Sequence, residues 1–135
     1  MKLSDAFGVD KELEVNGVWV PLKSMRFLIA RLGNPKFKAL YWKALEAKQA
    51  FSRFAGADEA HDQEPFLECM SKAVLLDWDG VDGEDGKPLP YSPEVGLRAM
   101  KDDQLFADFV SEASQKLDLY KAQHRETTEK NSRKP

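Results

Sequence analysis

Apolar and polar positions alternate most clearly near the start of the chain. Glu12-Leu13-Glu14-Val15, then Asn16-Gly17, then Val18-Trp19-Val20 read as two strands joined by a two-residue turn. Asn-Gly suits a type I′ turn because both residues tolerate positive φ. That register sets Val15 opposite Val18 and Leu13 opposite Val20, all on one face, with Glu14 and Trp19 on the other. Pro21 lacks an N–H, so its strand ends there or lies at a sheet edge. Met25 to Arg31 returns as a third strand after Leu22-Lys23-Ser24, completing a small antiparallel meander.

The rhythm then changes to a helical one. Asn34-Pro35 opens a helix, with Asn34 accepting a bond from the first turn and Pro35 at the first helical position. Phe37, Leu40, Ala44, Ala47, Phe51 and Phe54 form one stripe, and Gly56 is a natural stop. A second helix is predicted over Glu64 to Asp77, its inward side formed by Phe66, Leu67, Met70, Ala73 and Val74. The polar stretch from Asp77 to Gly86 reads as a loop that Trp78 pins to the core, and Pro88 and Pro90 follow. Ser92-Pro93-Glu94 starts a short third helix containing Gly96. Asp102 or Asp103 caps a fourth, running to about Arg125 with the stripe Phe106, Phe109, Ala113, Leu117 and Tyr120. The expected organisation is an N-terminal arm (1–11), a single α+β domain (12–125) and a disordered polar tail (126–135). Its class is α+β and mainly helical: an antiparallel β-meander followed by about four helices.

Composition narrows the function. In 135 residues, 42% hydrophobic and 32% charged is the balance of a soluble globular domain. No apolar run approaches the roughly 20 residues that span a bilayer, and the start lacks a signal-type apolar stretch, so no membrane association is expected. Cys69 is the one cysteine, which leaves no internal disulfide and no cysteine-based metal site.

Candidate chemistry is thin. His61 and His124 stand outside any His-x-x-x-His spacing and read as loop and helix-end histidines. Asp77, Asp79, Asp82, Glu84 and Asp85 suggest a calcium loop, but counting from Asp77 puts Val81 fifth and Asp82 where the sixth-position glycine belongs. Gly80, Gly83 and Gly86 lie among carboxylates that repel phosphate, and no Gly-Lys-Ser or Gly-Lys-Thr follows. Ser71 and Ser92 have no neighbouring base in the sequence, and Ser92 serves as a cap. The expectation is a protein without catalytic residues, cofactor or metal.

Charge is segregated along the chain. Lys23 to Arg53 holds eight basic residues and one acid, Glu46, whereas Phe54 to Pro90 holds ten acids against Lys72 and Lys87. The two segments neutralise each other within one chain, or steer a partner or second copy into a weak, salt-sensitive oligomer. A nucleic-acid-binding module using the basic segment 23–53 is the alternative function. The formal charge of −3 and the missing recognition motif speak against nucleic acid. Trp42 points away from the first helical stripe, beside Lys38, Gln49 and Arg53. Those four residues are the candidate partner-binding face, unless the meander or another helix covers Trp42.

Several blocks resemble the tail assembly chaperones of long-tailed bacteriophages and prophages. They are Gly17-Val18-Trp19, Phe27-Leu28-Ile29-Ala30-Arg31-Leu32-Gly33-Asn34, Lys36-Phe37 and the helix around Phe106 and Phe109. They continue with Val74-Leu75-Leu76-Asp77-Trp78-Asp79-Gly80-Val81 and Asp85-Gly86-Lys87-Pro88-Leu89-Pro90-Tyr91-Ser92-Pro93-Glu94, and the block from Trp78-Asp79-Gly80-Val81 to Tyr91-Ser92-Pro93-Glu94 is the most specific. The resemblance spans roughly residues 4 to 125 and carries no catalytic motif. It implies a non-enzymatic protein of the host bacterial cytoplasm, absent from the mature virion. Such a protein binds the tape-measure protein, keeps it soluble and helps recruit tail-tube subunits. The contact is expected at the Trp42 face or in a groove between helices, shielding apolar helical faces from aggregation.

Overall fold

A computed structural model describes residues 1–55 and 63–121, with side chains to residue 50 in the first span. Two short helices come first, α1 (Leu3–Phe7) and α2 (Lys11–Asn16). The hairpin β1 (Val18–Leu22) and β2 (Met25–Ile29) precedes the long α3 (Pro35–Ala55). Then follow α4 (Glu64–Ala73), β3 (Leu75–Asp79), α5 (Pro93–Asp102), α6 (Gln104–Ala113) and a 3₁₀ turn (Leu117–Tyr120). The fold is α+β and mainly helical, with a three-stranded antiparallel sheet ordered β1-β2-β3.

Two of the three predicted strands form, β1 and β2, with the predicted return through Leu22-Lys23-Ser24, but the first does not. Glu12 to Val15 is helical, because Oδ1 of Asp10 accepts the N–H groups of Glu12 (2.9 Å) and Leu13 (3.2 Å). Gly17, at φ 88°, ends that helix and donates to the Leu13 carbonyl. Asn16-Gly17 therefore acts as a helix stop instead of a hairpin turn, two uses of the same left-handed tolerance. The hairpin lies one step later, where Val18 faces Ile29 and Leu22 faces Met25 across a turn with Lys23 at φ 57°. Pro21 sits in β1 at the sheet edge, as its missing N–H requires.

The third strand comes from the predicted end of the second helix and the first residues of the predicted loop, Asp77 to Asp79. That helix stops at Ala73, and β3 pairs with the free side of β2, Phe27 facing Trp78 and Arg26 facing Asp79. Leu75 and Trp78 are buried while Asp77 is exposed, so β3 covers the apolar centre that β2 leaves open. The predicted long last helix is also broken. After Ala113 the hydroxyl of Ser114 donates to the Ser111 carbonyl, and Lys116 turns extended. The 3₁₀ turn then brings Tyr120 into a small cluster with Leu13 and Val18, its hydroxyl donating to the Ile29 carbonyl (3.0 Å). The expected stop at Gly56, both histidines and the tail 126–135 lie outside the described residues.

All four predicted helix starts hold, three of them with a side-chain cap. Ser92 Oγ accepts the Val95 N–H, and Oδ1 of Asp103 accepts those of Leu105 and Phe106. The third cap is also a structural node. Asn34 is fully buried, and its Oδ1 caps α3 by accepting the Phe37 N–H (2.9 Å). Its Nδ2 donates to the carbonyls of Arg31 (2.6 Å) and Ala73 (2.9 Å), tying the exit of β2 to the end of α4. Around it the core gathers Phe27, Ile29, Phe37, Met70, Val74, Leu75, Trp78, Met100 and Val110.

Asn34→Ala removes a cap and strands a buried N–H and a buried carbonyl. The expected loss is about 2–4 kcal/mol in urea unfolding. Asn34→Asp, which keeps the cap acceptor but not the two donors, should also be destabilised; wild-type stability in both variants would contradict the node.

Candidate functional site

Trp78 and Tyr91 hold the loop between β3 and α5 against the core. Trp78 Nε1–H donates to the Leu89 carbonyl (2.7 Å), which bears out the expectation that this indole pins the acidic loop. The two rings meet edge to face with centroids 4.9 Å apart. The Tyr91 hydroxyl lies between the carbonyls of Ser71 (2.5 Å) and Leu75 (2.7 Å), where α4 gives way to β3. Gly96 in α5 makes room for that ring: a Cβ there would stand 2.7 Å from both Cε1 and the hydroxyl oxygen. Gly80, at φ 79°, passes the Ser24 carbonyl so closely that a Cβ would stand 2.6 Å from it. The loop packs in this way under the β1–β2 turn, and Gly83–Lys87 and Leu89–Val81 backbone bonds hold it.

A groove of about 600 Å³ opens between this loop, the hairpin and α5–α6. Phe27, Trp78, Phe106 and Phe109 line it, with Phe27 packed on Phe106 (5.3 Å between centroids) and on Phe109 (5.6 Å). Leu22, Met25, Val81, Leu89, Val95 and Ala99 add aliphatic lining, while Asp82, Glu84, Arg98, Asp102 and Asp103 supply the charges. Leu105, 79% exposed, and Leu22, 37% exposed, also line it. Neither leucine was a sequence candidate. Leu105 could have been found as Trp42 was, being an apolar residue one position off its helical stripe.

The predicted partner face lies elsewhere, on α3. Trp42 is 65% exposed, so neither the sheet nor another described helix covers it, and Lys38 and Gln49 are exposed on the same side. The Arg53 side chain lies outside the described residues. The basic segment is not one continuous field. Arg26 pairs with Asp79 (3.2 Å) and stacks over Trp19, 4.4 Å from the ring centre. Arg31 Nε stands 3.2 Å from Glu14 Oε2, off-line for a hydrogen bond, and its Nη2 donates to the Gly33 carbonyl.

Two polar groups of α4, Cys69 and Ser71, are buried. Burial, assisted by the Glu68 charge, pushes the Cys69 thiol above its usual range, which disfavours the thiolate. The Ser71 hydroxyl donates to the Glu68 carbonyl within its own helix. Among the described residues, no group of three or more His, Cys, Asp or Glu is placed to hold a metal ion, and no helix is long and apolar enough to cross a membrane.

Residues 32–131, or 100 of the 135, match the family model described as YdaY prophage protein. The chain belongs to this prophage family. The YdaY match begins as β2 ends and takes in Asn34, the Trp78–Tyr91 loop and the α5–α6 wall of the groove. No curated protein and no solved structure matches the chain.

Two phenols give the fold an alkaline limit. Burial, with Asp77 adding to it, pushes the Tyr91 phenol well above its ordinary range. Burial does the same at Tyr120, partly offset by Arg31. Above pH ~10 the unfolded chain loses these protons while the folded chain keeps them, so this stability is complete below pH ~10 and declines above it. For Tyr120 the decline approaches ~1.4 kcal/mol per pH unit. Urea unfolding from pH 9 to 11 should show a shallower decline in Tyr120→Phe and in Tyr91→Phe; unchanged slopes would contradict it.

Proposed function

We propose that this YdaY-family protein is a non-enzymatic tail assembly chaperone that binds the tape-measure protein, keeps it soluble and helps recruit tail-tube subunits. The observation that carries this reading is the open groove, lined by aromatic side chains and flanked by exposed leucines. Apolar surface of this kind is costly to leave wet and suits a polypeptide client. Prophage membership supports the setting. The resemblance to tail assembly chaperones supports the client, and its most specific block takes in the end of β3 and the loop bound by Trp78 and Tyr91. In this reading the protein works in the host bacterial cytoplasm and is left out of the virion. Trp42 on α3, which does not line the groove, provides a second exposed contact.

Coexpression with the tape-measure protein of the same prophage should move that protein into the soluble fraction as a complex with this chain. A tape measure equally insoluble with and without it would overturn the reading. Trp42→Ala should lower recovery of the complex without unfolding the protein, since the indole is 65% exposed. Wild-type recovery would remove α3 from the contact.

A further inference from the structure

We propose that the groove takes one kind of occupant: an amphipathic helix of a partner protein whose apolar stripe is flanked by lysines or arginines. This deepens the chaperone reading and rests on it only for the partner's identity.

Three features of the groove support a basic helix. The first is its fixed aromatic interior, where Phe27 packs on both Phe106 and Phe109. An apolar surface already ordered before binding needs little reorganisation to accept side chains. The second is the position of exposed apolar surface. Leu22 ends β1 and Leu105 lies in the first turn of α6, and both are exposed while lining the groove. A small molecule enclosed in the cavity would leave these side chains in water, whereas a helix lying across it covers them. Strand addition along β1 is disfavoured there, because Pro21 offers no N–H beside Leu22. Apolar anchors projecting from successive helical turns match an open groove of this size.

The third feature is the sign of the charge. The groove's ionisable residues are four carboxylates, Asp82, Glu84, Asp102 and Asp103, against one guanidinium, Arg98. Asp82, Glu84, Asp102 and Arg98 make no ion pair with any described residue. A cationic flank is attracted by this excess and an anionic flank repelled, which sets selectivity and the rate of encounter more than affinity. The apolar lining supplies the affinity, and the carboxylates choose among amphipathic helices.

The test titrates the full chain with two labelled synthetic peptides that share one Leu/Phe helical stripe, one with a lysine polar face and one with a glutamate polar face. Fluorescence anisotropy should show the lysine peptide binding at least about tenfold tighter, with the difference shrinking as salt rises. Leu105→Gln leaves the charge unchanged and alters an exposed side chain, so the fold survives; it should weaken the lysine peptide by about tenfold. The double variant Glu84→Gln/Asp102→Asn should retain binding but lose much of the discrimination. Equal binding of both peptides, or wild-type binding by Leu105→Gln, would overturn the proposal. So would self-association that the lysine peptide fails to displace and Leu105→Gln abolishes, since the occupant would then be a second copy of this chain. Coexpression separates the two readings. A tape measure solubilised equally by wild type and Leu105→Gln removes the groove and leaves the chaperone. One solubilised by neither removes the chaperone, and the peptides still judge the groove.

Discussion

The end of α4 presents carbonyls that a following strand cannot satisfy from within the helix. The Tyr91 hydroxyl reaches two carbonyls at that junction, those of Ser71 and Leu75, and lets the chain leave the helix directly into β3. Trp78 completes the constraint from the strand side by binding the Leu89 carbonyl and packing against the Tyr91 ring. One consequence is a third strand on the open side of β2. The other is a loop fixed so that Val81 and Leu89 become part of the groove lining. The same two side chains thus finish the sheet and shape the candidate binding surface.

The charge pattern divides between fold and surface. Arg26 and Asp79 use opposite charges from the two segregated segments to join β2 and β3, at a site exposed enough that the pair contributes little net stability. Other acids of the second segment, Asp82 and Glu84, remain at the groove, joined there by Asp102 and Asp103 from the end of α5 and start of α6. Lysines of the first segment stay on α3 around Trp42, where Lys38 and Lys43 are exposed. Segregation along the sequence is therefore only partly cancelled in space, and it leaves two chemically different surfaces among the described residues.

Local signals in the sequence predicted local structure well. Asn34-Pro35, Ser92-Pro93 and Asp103 each start a helix because a cap needs only its own neighbours. Pro21 marks the sheet edge for an equally local reason. The errors fall where one signal serves two structures. Asn16-Gly17 suits a hairpin and a helix stop alike, and the Asp10 cap decides between them. Leu75 to Trp78 is too short for its period to separate helix from strand, and the vacant side of β2 decides. Tyr120 kept the helical spacing, yet its hydroxyl is used by a strand more than ninety positions away in chain order, at Ile29. Trp42 was legible as a single residue out of phase with its helix. The groove was not, because it exists only once β1, the β3–α5 loop and α6 are brought together.

The central claim is that this surface holds a polypeptide, with Leu105 at the contact. Placing a photoreactive side chain at position 105, and at exposed Lys11, which lies on neither the groove nor α3, for comparison, tests it in cells that make the prophage tail proteins. The account predicts a strong cross-link from position 105 to the tape-measure protein, within a lysine- or arginine-rich amphipathic helix. Position 105 giving no cross-link to it, while the same cells yield a tape-measure complex with this chain, would contradict the claim.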